Sequence, residues 1–398
     1  MDLQEIAAIG ALIAAALVVP AGWIAYRAGR RERNTETFHR QLSLLQIGHV
    51  ARSRRMLELS PRAWTLHDFP MFTQPDWIPD CPFDLDEIEL AWEDTDYPDP
   101  TVDAARRAAS TALPPLSPSG RHSYSDALTK VAGLDHLYNG TIYRLLDIDF
   151  SSATKLMRFS QGLYFDYLDT SEILAYEAVA SRLQRYRKRL KTPFDLRNRV
   201  ASLGIDTLTI RVDADSAGFF LHRRDPDRVV NNTNLLGVAP AGEFAPSDVS
   251  YESISNDLSL WRNVMREYAE EFLGVEEAQG RGGSWINFGA DAPYSALAEG
   301  RAEGSVRVKV LGLGIDPLPW KPELLTVCLI DADCFDSIFE NMLDVNDEGL
   351  LLKGDGQRGL PFDHATVTRY IGGRDMSPNA RACLQLAWRH RRFLGLDT

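Results

Sequence analysis

The stretch REYAEEFLG, residues 266–274, carries an arginine and three carboxylates within little more than one helical turn. Apolar residues recur at helical spacing before and through it, so the sequence predicts an amphipathic helix over residues 258–272. Glu267 precedes Glu270 and Glu271 by three and four positions, which brings the carboxylates together beside the apolar face. Like charges at this spacing destabilise a helix, so the arrangement needs a physical reason.

Two interpretations of this acidic helix follow from its chemistry. In the first, the glutamates form the solvated face of a surface helix, and Arg266 offsets part of their repulsion. In the second, the glutamates bind a divalent cation, since Mg²⁺ and Mn²⁺ take carboxylate oxygens as ligands. Asp257 is the predicted N-cap, because its carboxylate can accept hydrogen bonds from the first N–H groups of the helix.

A resemblance to a known family joins the helix to the residues before it. REYAEE, residues 266–271, resembles the core of the Nudix box, in which Arg-Glu-hydrophobic-any-Glu-Glu lies on a helix. GFFLHRRDP, residues 218–226, resembles the Nudix strand that ends in basic residues. GVAPAGEFAP, residues 237–246, resembles the strand and Pro/Gly turn before the box. The similarity covers residues 206–331 and implies a Nudix-like mixed sheet flanked by helices.

The resemblance implies roles for the three glutamates. Glu267, Glu270 and Glu271 would hold Mg²⁺ or Mn²⁺ against a diphosphate, so they are the candidate metal ligands. They are also the candidate catalytic residues, because in an active hydrolase one of them assists the attacking water. The cofactor expected for an active site is therefore Mg²⁺ or Mn²⁺.

Three arginines are the candidates for contact with a phosphate-containing ligand. Arg223 and Arg224 end a strand-like run beside His222, and guanidinium groups can bind phosphate oxygens bidentately. Arg266 opens the box itself. For Arg223 and Arg224, the alternative is a surface ion pair at the end of a strand.

The sequence also departs from the usual Nudix box. That box has a glycine and a further glutamate upstream of the arginine, and these places hold Glu252 and Leu258. The glycine that follows the paired glutamates comes one residue late, at Gly274. Because hydrolysis requires a positioned metal and an activated water, these departures weaken the prediction of hydrolysis more than the prediction of the fold.

The N-terminal residues predict a membrane anchor. Residues 6–26 are apolar and uncharged, and at about 1.5 Å per residue they span roughly 30 Å, the thickness of the hydrocarbon core. Acidic residues precede the run, and arginines follow it within residues 27–33. The positive-inside rule then predicts a single-pass protein of the cell membrane, with its N-terminus outside and the bulk of the chain in the cytoplasm. A buried or cleaved apolar helix is the alternative.

The length of 398 residues corresponds to two or three domains. We predict a transmembrane anchor with its basic flank over residues 1–33 and a connector helix over residues 34–59. A cytoplasmic α/β domain of unidentified type follows over residues 60–195, and a Nudix-like domain with a C-terminal helix occupies residues 196–398. Apolar and β-branched runs over residues 141–150, 206–212, 218–224, 305–315 and 323–331 are predicted as strands, and residues 170–191 are predicted as a helix. The predicted fold class is α+β.

The distribution of charge limits the partners. A net charge of −13 argues against nucleic-acid binding, which requires a basic footprint, but allows a small phosphate ligand held through a metal. The arginines of the connector helix either lie near anionic headgroups or are solvated. The basic run over residues 182–191 is either a solvated helix end or a contact for an anionic ligand or lipid.

Three functions are compatible with these patterns. The first is a membrane-anchored protein that binds a nucleotide or related phosphate ligand in a signalling or regulatory role. The second is an active metal-dependent Nudix hydrolase of nucleoside diphosphate derivatives, and the third is a membrane-tethered scaffold without enzymatic activity. Nudix-like domains joined to membrane segments also occur among bacterial antiphage effectors that sense cyclic nucleotides, which is an analogy of architecture.

Overall fold

A computed structural model shows a mixed α+β protein. The structure describes residues 29–96, 98–116, 122–224, 235–248, 250–275, 286–345, 349–354 and 358–396. The predicted membrane span, residues 6–26, lies outside these ranges. Among the described residues, none of the helices combines the length and the apolar character that crossing a bilayer requires.

Helices and strands alternate irregularly along the chain. The helices are α1 (residues 29–47), α2 (His49–Leu59), α3 (Pro100–Ala109), α4 (Tyr124–Lys130), α5 (Tyr164–Tyr167), α6 (Ile173–Ala180), α7 (Arg185–Leu190), α8 (Tyr251–Asn256), α9 (Leu260–Leu273), α10 (Tyr294–Glu303), α11 (Ala332–Ile338), α12 (His364–Gly372) and α13 (Pro378–Arg389). The strands are β1 (Phe83–Asp84), β2 (Ile88–Trp92), β3 (Thr141–Asp149), β4 (Lys155–Leu163), β5 (Gly204–Val212), β6 (Ala217–Phe219), β7 (Leu221–Arg224), β8 (Leu236–Val238), β9 (Ala241–Glu243), β10 (Val306–Ile315), β11 (Pro322–Asp331), β12 (Gly349–Leu352) and β13 (Leu360–Pro361).

The largest sheet has the strand order β1-β10-β11-β5-β6-β13, and β9 pairs with the other end of β5. Strands β11 and β5 run parallel, and the remaining pairs in this sheet are antiparallel. Nearly every residue of β5 and β11 is buried, as expected for strands that are covered on both faces.

Helices cover both faces of this sheet. On one face, Leu384 of α13 packs in a cluster with Leu208 of β5 and Leu325 of β11. On the other face, Val264 and Tyr268 of α9 belong to a separate apolar cluster that includes strands β10 and β11. The second half of the chain is therefore a mixed sheet between two helical layers.

Two smaller sheets complete the strand pairing. In one, β4 pairs with β2 in parallel and with β3 in antiparallel orientation. In the other, β7 lies between β12 and β8, and both pairs are antiparallel. This second small sheet matters for the candidate site, because β7 carries the predicted ligand-binding arginines.

Residues on both sides of the predicted domain limit at 195/196 share one core. Phe83, Tyr176 and Val310 belong to the same apolar cluster, and β1 pairs with β10 of the large sheet. The domain limits themselves stay predictions.

Most of the predicted strands are confirmed. Strands β3, β5, β10 and β11 occupy the runs in which the sequence predicted them. The run over residues 218–224 is divided into β6, which pairs with β5 and β13 in the large sheet, and β7, which pairs with β12 and β8. The end of this run therefore leaves the large sheet.

The prediction of one continuous helix over residues 170–191 is wrong. Helix α6 ends at Ala180, and α7 begins after Gln184, whose φ of 44° lies in the left-handed region. The break has a polar cause, because the buried Glu177 carboxylate accepts the backbone N–H groups of Tyr186 and Arg187 at 2.8 and 3.0 Å. A carboxylate of α6 thereby satisfies the free N–H groups at the start of α7.

Two buried arginines tie this region to the loop before β11. The Arg199 guanidinium is fully buried and donates to the carbonyl oxygens of Pro193, Asp195 and Trp320 at 2.8–2.9 Å. Arg187 donates to the Pro317 carbonyl at 2.9 Å, and its guanidinium lies 5.0 Å from the centre of the Trp320 ring. Burial lowers the pKa of both arginines to about 10, so both remain charged at neutral pH.

Removing the Arg199 side chain should destabilise the fold strongly. Arg199→Ala leaves three carbonyl groups without their donor and opens a cavity, so we expect the free energy of unfolding to fall by about 3–5 kcal/mol. Arg197→Ala is the matched control, because Arg197 forms an exposed ion pair with Glu93 and should cost less than about 1 kcal/mol. Urea unfolding of both variants measures the difference. Equal losses would contradict the conclusion that the buried hydrogen bonds of Arg199 stabilise the fold.

A buried histidine joins α2 to the same loop. His49 is 7% exposed, and its Nε2 lies 3.9 Å from Oδ2 of Asp316. Burial lowers the pKa of His49 below its ordinary 6.5; the Asp316 carboxylate opposes this effect, and Arg52 adds to it. Folding therefore favours the neutral imidazole.

The lowered pKa of His49 predicts a pH dependence. Its contribution to stability is present above pH 6.5 and is lost as the pH falls from there through the folded-state pKa, because the unfolded chain takes up the proton first. We expect His49→Gln to flatten the dependence of the unfolding free energy on pH below 6.5, by at most about 1.4 kcal/mol per pH unit. Chemical unfolding at several pH values tests this. The same change at exposed His39 should leave the slope as it is.

Candidate functional site

Helix α9 carries the acidic motif and begins two residues later than predicted. Its N-cap is Ser259, whose side chain accepts the backbone N–H of Arg262, and Gly274 ends it with φ of 68°. The prediction of Asp257 as N-cap is wrong. The Asp257 carboxylate accepts the backbone N–H of Ser247 at 2.8 Å and also the Ser247 hydroxyl, so it holds the preceding loop instead.

The apolar face of α9 packs on the large sheet, as the periodicity predicted. Tyr268 and Phe272 are fully buried, and their rings contact Phe339 of the segment after α11. The Tyr268 hydroxyl forms a hydrogen bond of 2.7 Å with Oγ1 of Thr209 on β5. Burial, followed by the neighbouring Cys328, raises the pKa of Tyr268 well above its usual range, so this hydroxyl stays protonated.

Two of the glutamates face the short strand β9. The Ala241 backbone N–H donates to Oε1 of Glu271 at 2.9 Å, and Glu271 is only 2% exposed. A Cβ added at Gly242 would lie 1.9 Å from Cδ of Glu267, so this carboxyl group rests directly on the glycine. Glu267 and Glu271 are about 40° apart around the helix axis, which lets both reach the same strand.

The third glutamate lies on a different side of α9. Glu270 is about 100° from Glu271 around the axis. Its charge acts on Tyr294 of α10: burial raises the pKa of Tyr294 first, and the Glu270 charge adds to the effect. The three carboxylates, adjacent in sequence, therefore diverge between β9 and α10.

Arg266 is buried and holds the loop that follows β9. It is 6% exposed, and its Nη2 donates to the Ala245 carbonyl at 2.5 Å and to Oδ1 of Asn263 at 2.8 Å. The Asn263 amide in turn donates to Oε1 of Glu267 at 3.4 Å. Arg266 thus fixes the loop and, through Asn263, the Glu267 carboxylate. The sequence analysis did not identify Asn263, whose only signal was its place one turn before Glu267.

Strand β7 directs its side chains alternately to opposite faces. Nδ1 of His222 lies 3.9 Å from Oε2 of Glu271, and both side chains are about 2% exposed. Arg223 instead forms an ion pair of 3.3 Å with Asp375 and is 40% exposed. For Arg224 the structure describes the backbone, which pairs with Gly349. The structure thus brings His222, rather than Arg223, to the carboxylate helix.

A partly buried ion pair fixes the opposite side of β9. Nζ of Lys321 lies 2.8 Å from Oε2 of Glu243 and 3.8 Å from Oε1 of Glu323. Burial by itself lowers the pKa of Lys321, but the Glu243 and Glu323 carboxylates outweigh it and hold that pKa above its ordinary value. The charged Lys321–Glu243 pair therefore anchors the strand that receives Glu267 and Glu271.

In this arrangement the three glutamates do not fit a shared metal site. One oxygen of Glu271 accepts a backbone N–H, Glu267 rests on Gly242, and Glu270 lies toward α10. Within the described ranges, no group of three or more His, Cys, Asp or Glu side chains is placed to hold a metal ion. We therefore derive no catalytic step through Mg²⁺ or Mn²⁺, and the predicted cofactor stays a prediction.

In comparisons with known proteins, no protein-family model matches the chain and no curated protein sequence is significantly similar to it.

The different surroundings of two adjacent glutamates predict different effects on stability. Glu271→Ala removes a buried side chain and leaves the partly buried N–H of Ala241 without its acceptor, so we expect the unfolding free energy to fall by about 1–3 kcal/mol. Glu270→Ala is the matched control, because Glu270 is only partly buried, and we expect a change within about 0.5 kcal/mol. Equally small effects of both changes in urea unfolding would show that the Glu271 carboxylate contributes no more to stability than a solvated one.

Proposed function

We propose that this protein is a membrane-anchored, Nudix-like protein that binds a nucleotide or related phosphate ligand in a signalling or regulatory role. One observation carries the proposal: the carboxylate helix α9 rests on the glycine-bearing strand β9, with Glu271 bound to the Ala241 amide and Glu267 against Gly242. The strand, turn and acidic helix of the resemblance are therefore neighbours in space as well as in sequence.

The surrounding architecture supports a ligand site at this helix. A mixed sheet lies between two helical layers, and β9 sits at the edge of β5. The Lys321–Glu243 ion pair that holds β9 in place is partly buried, which supports a defined position for this strand of three residues. Candidate contacts for a phosphate-containing ligand remain Arg223, Arg224 and Arg266, with His222 added by its place beside Glu271.

Binding without cleavage is favoured by the same geometry. The glutamates diverge, and Glu271 is buried and engaged with a backbone amide. The sequence has Leu258 where the usual box has a further glutamate. Hydrolysis needs several carboxylate oxygens around one metal and an activated water, and neither the spacing nor the box supplies the full set.

The remaining parts of the proposal rest on the sequence. Residues 6–26 would form the single membrane span, with the N-terminus outside and the folded part in the cytoplasm. Residues 60–195 would form a first cytoplasmic domain, and residues 196–398 the Nudix-like domain.

The proposal predicts ligand binding without turnover. We would incubate the full chain with nucleoside diphosphate derivatives and with cyclic dinucleotides, in the presence and absence of Mn²⁺, and follow both the melting temperature and product release. A ligand at about 100 times its Kd adds about 2.7 kcal/mol, so a rise of several degrees is expected. Gly242→Val should abolish the rise, because the added side chain displaces Glu267.

Each other result decides between the alternatives. Metal-dependent product release that Glu271→Gln abolishes would establish the active hydrolase. A protein that neither shifts nor turns over any compound would favour the membrane-tethered scaffold.

A further inference from the structure

Two basic segments that are far apart in sequence meet on one surface. Residues 29–62 carry eight arginines against three glutamates, and residues 181–191 carry six basic residues and no acidic one. Since the whole chain has a net charge of −13, these segments hold a net +11 and the remainder holds −24. Such a separation of charge is strong for an acidic protein.

The contact between the segments is direct. Nε2 of Gln184 lies 3.7 Å from the Met56 sulfur of α2. Met56 and Leu45 share a small apolar cluster with Ala175 of α6 and Leu318. The turn between α6 and α7 therefore lies against α1 and α2.

Each segment turns its basic residues outward. Helix α7 buries Tyr186, Arg187 and Leu190, so its exposed positions are basic. Helix α2 buries His49, Ser53 and Met56 and exposes arginines in the same way. The basic surface is defined by the exposed residues Arg54, Arg55, Arg182, Arg185, Lys188, Arg189 and Lys191.

Large aliphatic side chains are exposed in the same two segments. Ile47, at the end of α1, is 85% exposed; Leu59, at the end of α2, is 62% exposed; Leu183, in the turn before α7, is 55% exposed. Exposed aliphatic groups among basic ones are typical of a surface that lies on a bilayer, where the aliphatic groups enter the headgroup boundary. A single-stranded nucleic acid would instead favour aromatic side chains for base stacking.

We propose that the basic surface binds anionic lipid headgroups and inserts Ile47, Leu59 and Leu183 into the headgroup boundary. Lysine and arginine are drawn to the negative potential of an anionic leaflet, and the acidic remainder of the chain is repelled by it, so the charge separation also sets the orientation. This inference does not depend on the phosphate-ligand proposal, because it uses none of the residues of α9 or β9.

Hydrogen exchange of the full chain tests the proposal. The chain is reconstituted with vesicles of phosphatidylcholine alone or with about 30% phosphatidylglycerol. We expect the amides of residues 182–191 to exchange at least about three-fold more slowly with the anionic vesicles, and about 0.5 M salt to remove the difference. Equal exchange with the two vesicles would overturn the proposal. Protection by single-stranded DNA in place of anionic vesicles would also overturn it.

Matched variants distinguish binding through the basic surface from a general effect of the protein's net charge. The triple change Arg185→Glu, Lys188→Glu and Arg189→Glu should abolish the protection. The control carries the same change of charge on other exposed basic residues, at Lys130→Glu, Arg358→Glu and Arg389→Glu, and should keep it. Loss of protection in the control would overturn the assignment to this surface.

The aliphatic residues have their own test, in which the charge stays constant. Ile47→Gln with Leu183→Gln should reduce the protection by about half or more while keeping its dependence on salt. Unchanged protection would overturn the insertion of these side chains. Far-ultraviolet circular dichroism of each variant confirms that it is folded, so a loss of protection is not mistaken for unfolding.

Discussion

The parallel pairing of β5 with β11 is the constraint on which the second half of the structure depends. The two strands pair from Gly204 with Glu323 to Val212 with Asp331, and nearly all of their residues are buried. Strands buried on both faces require a cover on both sides, and the helices provide it: α13 on one side, and α9, α10 and α11 on the other. The position of the acidic helix is therefore a consequence of how this strand pair is covered.

The outer edge of β5 then determines where the candidate site forms. Its last residues pair with β6 and its first residues pair with β9. Between these pairs, the N–H groups of Thr207 and Thr209 donate to the carbonyls of Pro240 and Ala239. The chain leaves the large sheet after β6 and forms β7 and β8, which pair in a separate sheet with β12. It then returns to the edge of β5 as β9, which lies against α9. His222 of β7 and Gly242 of β9 thereby approach the same helix from two directions.

Charged side chains hold both of the surfaces to which we assign functions. Lys321 anchors β9 through Glu243, and so supports the strand that receives the glutamates. Arg187 points inward from α7 to the Pro317 carbonyl, which leaves the other basic residues of that helix outside. Both anchors belong to or contact the loop before β11. The loop before β11 thus links the candidate ligand site to the basic surface, and buried hydrogen bonds hold this loop in place.

The sequence by itself determined the elements that depend on local pattern. Alternation and apolar content located β3, β5, β10 and β11, and the 3.6-residue period located the face of α9 that packs on the sheet. The sequence also pointed to REYAEE and to the glycine-bearing segment before it.

Tertiary structure decided what local pattern does not contain. Glu177 interrupts the predicted helix over residues 170–191 by binding N–H groups nine and ten positions away. The Asp257 carboxylate does not cap α9, because it binds Ser247. The three glutamates diverge because β9 and α10 approach α9 from different sides. Each of these outcomes depends on a partner brought close by folding, which is why one chain segment read alone does not reveal it.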